Sequence, residues 1–214
     1  MRNSFVQLVA KVLEYPLLYD FYQTLVGGVQ ARKQFARDAM KNSFEGILDL
    51  GCGTGQMAID VIPDCPYIGI DLSNEYLRIA SKSLIDLNIN CKLFSSSIND
   101  FDFSTIASKL RYLVYCGGLL HHLSDNEVRS LLTHIRSNFP NSTLISIDPT
   151  YDSETSKVAK WFALNDRGEH VRDVDSALNL FDANFFDVTY SIRRDIFRIP
   201  LDTLCLEVNF KKTL

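Results

Sequence analysis

Three glycines at alternate positions form the stretch of this sequence with the clearest chemical meaning. Gly51, Gly53 and Gly55 follow a short apolar segment and precede a helical pattern. Glycine lacks a Cβ, so it permits positive φ angles and lets a ligand approach the backbone closely. In open α/β proteins, ligands bind at such strand-to-helix turns. The turn is therefore predicted to hold a cofactor.

A carboxylate lies at the end of the next predicted strand, 20 residues after Gly51. This residue, Asp71, can accept hydrogen bonds from both hydroxyls of a ribose, which several nucleoside cofactors share. Two cofactor classes remain open at this point. The spacing Gly53-x-Gly55-x-x-Ala58 satisfies the dinucleotide fingerprint, whereas Asp49, two residues before the first glycine, favours a different ligand.

The elements that must position these residues alternate along the chain from residue 45. The predicted strands are Gly46–Leu50, Tyr67–Asp71, Cys91–Ser95, Tyr112–Cys116 and Thr143–Asp148. The predicted helices are Gln56–Ile62, Asn74–Asn88, Phe103–Leu110 and Asp125–Asn138. Short buried strands that alternate with helices indicate βαβ units, and hence an α/β fold with a doubly wound, mostly parallel sheet.

The two ends of the chain depart from this alternation. Phe186–Arg194 and Thr203–Phe210 both alternate like strands with no long helix between them, which predicts an antiparallel hairpin that completes a seven-stranded sheet. Residues 1–44 show a helical pattern and are too few for a domain of their own. We therefore expect an N-terminal helical cap over residues 1–44 and one domain over residues 45–214.

Composition narrows the function further. The 214 residues carry a net charge of −4, so no overall basic character supports nucleic-acid binding. The five cysteines form no CxxC pair or zinc spacing, which indicates reduced thiols, and no ligand cluster demands a metal. No signal peptide and no run of 18 apolar residues is evident, so we expect a cytoplasmic protein without membrane insertion. Its oligomeric state stays open.

Four stretches together resemble the class I S-adenosylmethionine (SAM) dependent methyltransferases. They are DLGCGTG (49–55), YIGIDLS (67–73), the overlapping DLSNEYLRIASKS, and LVYCGGLLHHLSD, and together they cover roughly residues 46–148. The ends of the chain are similar to a subgroup of small-molecule methyltransferases. The resemblance implies in-line transfer of a methyl group from SAM to an oxygen or nitrogen of a small-molecule acceptor.

The resemblance also implies a set of cofactor-binding residues. Ser97 stands where the family usually has an acid near the adenine, and its hydroxyl can still meet the adenine amino group. The implied residues are Asp49, Gly51, Cys52, Gly53, Gly55, Asp71, Leu72, Ser97, Ile98, Asn99, Cys116, Tyr19, Gln23 and Arg32.

Two candidate catalytic residues lie near the predicted position of the methyl group. His122 follows the fourth strand and Asp148 ends the fifth, and a neutral imidazole is a suitable base near pH 7. Packing and loop geometry are the alternative roles for the pair His121-His122. The sequence DRGEHVR carries Arg167, His170 and Arg172, which suit either an anionic acceptor or solvated loop charges.

Two other functions remain possible on the sequence alone. A nicotinamide-dependent oxidoreductase would use the dinucleotide fingerprint, although the later motifs do not support it. A non-catalytic SAM-binding regulatory module would bind the cofactor and transfer nothing.

Overall fold

The computed structural model describes residue 27 and residues 33–35, 37–38, 44–106, 109–166 and 168–211. The predictions for Tyr19, Gln23 and Arg32, and most of the predicted cap over residues 1–44, lie outside these described residues. Arg167 lies outside them as well.

The described residues contain eight strands and five α-helices with defined bounds, and residues 33–35 and 37–38 are helical as well. The strands are β1 (Gly46–Leu50), β2 (Tyr67–Asp71), β3 (Cys91–Ser95), β4 (Tyr112–Gly117), β5 (Thr143–Tyr151), β6 (Arg172–Asp173), β7 (Phe186–Arg193) and β8 (Thr203–Phe210). The helices are α1 (Gln56–Val61), α2 (Asn74–Asp86), α3 (Asp125–Asn138), α4 (Lys157–Leu164) and α5 (Val174–Leu178). Two 3₁₀ turns, Phe103–Thr105 and Leu120–His122, complete the set.

Seven strands form one path in the order β3-β2-β1-β4-β5-β8-β7, and β6 pairs with β5 beside that path. Strands β1 to β5 are mutually parallel, whereas β8 runs antiparallel to both β5 and β7. The predicted doubly wound, mostly parallel sheet with an antiparallel C-terminal hairpin is confirmed. The two-residue strand β6 adds an eighth strand to the seven that were predicted.

The strand order places the glycine turn where the topology reverses. From β1 the chain proceeds outward to β2 and β3, and then returns to β4 and β5 on the other side. A crevice opens at the carboxyl ends of the strands at such a switch point, and ligands of open α/β folds bind there. The exit of β1 is therefore at the position where this fold most readily forms a binding site.

Helices cover the sheet on both faces. One apolar cluster joins α3 and α5 to the sheet and includes Val128, Leu131 and Ala177. The other joins α1 and α2 to the opposite face and includes Met57 and Leu84. Among the described residues, we find no helix with the length and apolar character needed to cross a membrane.

The prediction of a helix over Phe103–Leu110 is wrong for the residues that the structure describes in this range. Only the 3₁₀ turn Phe103–Thr105 forms, because Asp102 accepts hydrogen bonds from the backbone N–H and the hydroxyl of Ser104. Such local side-chain contacts compete with helical hydrogen bonding. The turn is followed by Ile106 in extended backbone rather than by further helix.

Strand β5 is longer than predicted, and three later elements were not predicted at all. Pro149 interrupts the sequence pattern, but β5 continues to Tyr151 because Pro149 pairs with Thr203 of β8. Elements α4, β6 and α5 lie between the fifth strand and the hairpin. They form one wall of the edge at which the candidate site lies.

Candidate active site

The glycine turn combines left-handed backbone with open space. Gly51, Gly53 and Gly55 have φ angles of 71°, 53° and 76°. A Cβ at Gly51 would lie 3.1 Å from Leu119, and one at Gly55 would lie 3.3 Å from Ala80, whereas one at Gly53 would meet no atom within 4 Å. Gly51 and Gly55 therefore serve close packing within the protein. Gly53 borders a space that a ligand can enter.

Asp71 connects the end of β2 to this turn. One carboxylate oxygen accepts the backbone N–H of Gly53 at 2.8 Å, and the other accepts the backbone N–H of Ser73 at 2.8 Å. Each carboxylate oxygen has a further lone pair, so the group can still accept hydrogen bonds from a ligand. The structure therefore brings together the two features that the sequence singled out, the glycine turn and the acid after the second strand.

Three other predicted cofactor residues lie beneath the turn. Asp49 is 2% exposed and accepts a 2.6 Å hydrogen bond from the hydroxyl of Tyr67. Burial raises the pKa of the Cys52 thiol well above its ordinary value, with Asp49 adding to the effect, and burial likewise raises the pKa of the fully buried Cys116. The two thiols are protonated, packed parts of the interior, so contact with a cofactor at the two cysteines would come from their backbone.

Four further residues of the predicted cofactor-binding set lie beyond Asp71. The side chain of Leu72 is 72% exposed, while Ile98 is buried against the core. The backbone N–H of Asp100 donates to the carbonyl of Ser97 at 3.2 Å, which closes a tight turn. The amide oxygen of Asn99 is buried, and no residue in the described part of the chain hydrogen-bonds to it.

A largely buried cluster of three ionisable side chains, of which Asp166 is 32% exposed, lies at the carboxyl ends of β4 and β5. The ring of His121 lies between two carboxylates, with Nδ1 at 2.8 Å from Asp148 and Nε2 at 2.9 Å from Asp166. Asp148 also accepts the backbone N–H of His121 at 3.2 Å and the hydroxyl of Ser146 at 2.9 Å. We call His121, Asp148 and Asp166 the buried triad.

The two carboxylates determine the charge of the imidazole. Burial of His121 by itself disfavours the imidazolium, but the hydrogen bonds and charges of Asp148 and Asp166 outweigh burial and raise the pKa of His121 to about 9. The same ion pairing lowers the pKa of Asp166 despite the opposing effect of its burial. Near neutral pH, both ring nitrogens of His121 therefore carry protons and donate to carboxylates.

The segment after α4 closes over the buried triad. A Cβ at Gly168 would overlap the ring of His121, so only glycine fits there without movement. The backbone N–H of His170 donates to the carbonyl of His121 at 2.9 Å. Arg172 donates to the carbonyls of Leu120 and Leu123 at 2.8 and 2.6 Å. Arg172 is thus committed to the 3₁₀ turn, rather than to the anionic acceptor that the sequence left open.

The structure pairs Asp148 with His121. His122 is exposed, and its ring lies against that of His121 with centroids 4.2 Å apart and ring planes tilted by 40°. The pair His121-His122 was visible in the sequence, but Asp166 was not singled out. It follows α4, a helix that the sequence analysis missed, and no spacing in the chain relates it to His121.

Comparisons with known proteins agree with this geometry. Residues 47–139 match a family model described as a methyltransferase domain. Over this range the chain is similar to methyltransferase domains, and its fold is that of the class I SAM-dependent methyltransferases. The cofactor of this class is S-adenosylmethionine, and the open space at Gly53 beside the Asp71 carboxylate is a cradle that fits a nucleoside of this kind.

Individual relatives of the methyltransferase domain are distant. A protein of Geobacillus sp. (strain WCH70), provisionally named a methyltransferase, is 27% identical over 132 residues, which are 61% of this chain and 50% of that protein. The chain thus spans half the length of this curated relative.

Solved structures share the fold of the methyltransferase domain at low identity. A SAM-dependent methyltransferase from Clostridium acetobutylicum has a TM-score of 0.69 at 12% identity, over 91% of this chain and 98% of that one. Mitomycin 7-O-methyltransferase has a TM-score of 0.64 at 17% identity, over 85% of this chain and 54% of that one.

Proposed function

We propose that this chain is a SAM-dependent methyltransferase that methylates an oxygen or nitrogen of a small-molecule acceptor. The observation that carries the proposal is the 2.8 Å contact between the Asp71 carboxylate and the backbone of Gly53, beside space that a side chain does not fill. A nucleoside could rest on the turn there with its ribose hydroxyls at the carboxylate. One structural neighbour acts, by its name, on the 7-oxygen of mitomycin, which supports a small-molecule acceptor.

The proposed cofactor site keeps the full set implied by the sequence, with different roles for its members. Gly53 and Asp71 would contact the cofactor directly, Gly51 and Gly55 would shape the turn beneath it, and Leu72 would present an apolar surface to the adenine. The remaining proposed residues are Asp49, Cys52, Ser97, Ile98, Asn99 and Cys116, together with Tyr19, Gln23 and Arg32 outside the described residues.

When bound, SAM would supply an electrophilic methyl group on a sulfonium. The chain itself must then hold the acceptor, exclude water and, for a hydroxyl acceptor, take up a proton. We propose His122 as the group that takes up this proton, since its ring lies at the surface of the same edge. His121 is less suited, because both of its ring nitrogens already donate to carboxylates.

Asp148 was predicted as a second candidate base, and its contacts support a positioning role within this proposal. One of its oxygens accepts from His121 and the other from Ser146, inside a residue that is 7% exposed. A carboxylate engaged in this way would hold the 3₁₀ turn that carries His122, rather than meet the acceptor.

Calorimetry with SAM, its demethylated product and NAD tests the proposal. We expect SAM and the product to bind and NAD to give no heat. Replacing Asp71→Ala should weaken SAM binding by roughly 10- to 150-fold, because a carboxylate that serves two hydroxyls is lost. Asp86→Ala, an exposed acid at the end of α2, is the matched control and should leave the affinity unchanged.

Each alternative function predicts a different result. Heat with NAD and none with SAM would replace the proposal by a nicotinamide-dependent oxidoreductase. SAM binding together with no transfer of labelled methyl to any member of a panel of hydroxyl and amine acceptors would favour a regulatory module. An unchanged SAM affinity in Asp71→Ala would show that Asp71 is not at the cofactor.

A further inference from the structure

Strand β7 forms one outer edge of the sheet. Within the described residues it pairs with β8 alone, so its other side presents backbone N–H and C=O groups to its surroundings. Such an edge is a template for another strand, and proteins usually protect it with charged residues, proline or a short strand. Strand β7 has eight residues, and its central five, Val188–Ile192, contain neither charge nor proline. The opposite edge strand β3 has five residues and carries Lys92.

The sequence of β7 is chemically symmetric about Tyr190. In the segment DVTYSIR, residues at equal distances before and after Tyr190 are similar or complementary. One position away they are Thr189 and Ser191, two positions away they are both aliphatic, and three positions away they are Asp187 and Arg193. If two copies of β7 pair antiparallel about Tyr190, each hydroxyl side chain lies opposite a hydroxyl side chain of the other copy. Each aliphatic side chain likewise lies opposite an aliphatic one. Asp187 then faces Arg193 of the partner subunit, twice across the two-fold axis.

The two sides of the strand agree with this register. Opposite residues of an antiparallel pair lie on the same face of a sheet, about 4.5–5.5 Å apart at Cβ. Val188 and Ile192 already pack against the core beneath the sheet, and Tyr190 between them is 53% exposed. A second copy of the strand would extend that apolar face across the axis and cover Tyr190 with its counterpart.

Arg193 can take part in both an internal and an intermolecular ion pair. Its Nε and Nη2 atoms contact the exposed Asp195 at 2.9 and 3.2 Å. A guanidinium has five N–H donors, so this contact along one edge leaves other donors for a second carboxylate.

We propose that β7 is a self-association surface through which two copies of this chain join their sheets, with the two-fold axis at Tyr190. The partner is a second copy because the strand is complementary in charge and in side-chain type to its own reverse. This proposal is independent of the proposed function, since β7 lies four strands away from β1, the strand that the glycine turn follows.

Sedimentation equilibrium with charge variants tests the pairing. Wild-type chain should dimerise with rising concentration, whereas D187R and R193D should each bind themselves at least about tenfold more weakly, because like charges then face each other at both ends. An equimolar mixture of D187R and R193D restores opposite charges at both ends of the mixed dimer, so it should recover association. D86R makes the same charge change on α2 and should dimerise like wild type.

A cysteine at the axis tests the register directly. In Tyr190→Cys the two new thiols would lie opposite each other, so mild oxidation should give a disulfide-linked dimer beyond the wild-type background from the native cysteines. In Asp187→Cys the two thiols would be about 20 Å apart, six residues along the paired strands, and no added cross-link should form.

Three results would overturn the proposal. One is a wild-type chain that stays monomeric up to about 1 mM. Another is a dimer whose strength D187R and R193D leave unchanged, which would place the interface elsewhere. The third is equal cross-linking of the two cysteine variants.

Discussion

At the scale of single residues, the buried triad sets a charge that the sequence alone would not suggest. An isolated histidine titrates near neutral pH, but His121 lies between Asp148 and Asp166, and its pKa is raised to about 9. The triad therefore works as an ion cluster that joins the ends of β4 and β5 to the segment after α4. Such a cluster contributes to folding in a manner that depends on pH.

The free energy of unfolding should depend on pH because His121 is charged in the folded chain. Because the pKa of His121 is higher in the folded than in the unfolded chain, its contribution is complete below about pH 6.5 and is lost as the pH rises to about 9. Over that window we expect wild type to lose about 3 kcal/mol relative to His121→Gln, which lacks the titrating group. Urea unfolding of both proteins at several pH values measures the difference, and parallel pH profiles would contradict an imidazolium at His121.

The proposed role of His122 predicts a kinetic effect without a binding effect. A positioned base contributes about 10²–10⁴-fold, so His122→Ala should lower the single-turnover rate at least a hundredfold for a hydroxyl acceptor. SAM affinity should stay within about threefold of wild type. His134→Ala, an exposed histidine on α3, serves as the control. A near-normal rate in His122→Ala would leave positioning of the substrates as the main catalytic device.

At the scale of elements, the glycine turn was predictable because three signals coincide within a few residues. An apolar strand, alternate glycines and a helical pattern follow one another without interruption, and together they identify a strand-to-helix turn. The turn also separates two roles that the sequence could not distinguish. The structure shows that Gly55 is packed against α2, whereas Gly53 borders open space.

The two glycines should therefore fail in different ways when replaced. Gly53→Val should retain a folded chain, at a cost of about 1–2 kcal/mol for left-handed backbone, and should lose SAM binding. Gly55→Val should chiefly lower the midpoint of thermal unfolding, because its side chain would meet Ala80 and Leu84. Thermal unfolding and calorimetry on both variants check this contrast. Normal SAM affinity in a folded Gly53→Val variant would contradict the proposed site.

Other elements could not be predicted, for identifiable physical reasons. A short turn forms where a helix was predicted, because Ser104 hydrogen-bonds to the Asp102 carboxylate. Helix α4 has an exposed stripe of Val158, Trp161 and Leu164, so its pattern does not show the polar outer face by which surface helices are usually identified. The contact between His121 and Asp166 depends on the position of the C-terminal end of α4, which is set by the fold and not by the local sequence.

At the scale of the whole molecule, the order of the strands explains why chemistry collects at one edge. All five parallel strands end on the same side, so the glycine turn, Asp71 and the buried triad come together although they span residues 51 to 166. The first five strands and the final hairpin could be predicted from the periodicity of apolar residues in the sequence. What periodicity leaves out is the path between the fifth strand and the hairpin, which would form the acceptor side of the proposed site.

The position of β8 has a consequence for how the chain acquires this fold during synthesis. Strand β8 lies between β5 and β7, and its residue Asn209 pairs with Thr143, 66 positions earlier. Until β8 leaves the ribosome, β5 keeps an open edge rich in apolar side chains, and closing so long a loop is slow. The nascent domain therefore passes through a stage in which its central strands are complete and its edge is unprotected. Premature termination before residue 203 would make that aggregation-prone stage permanent.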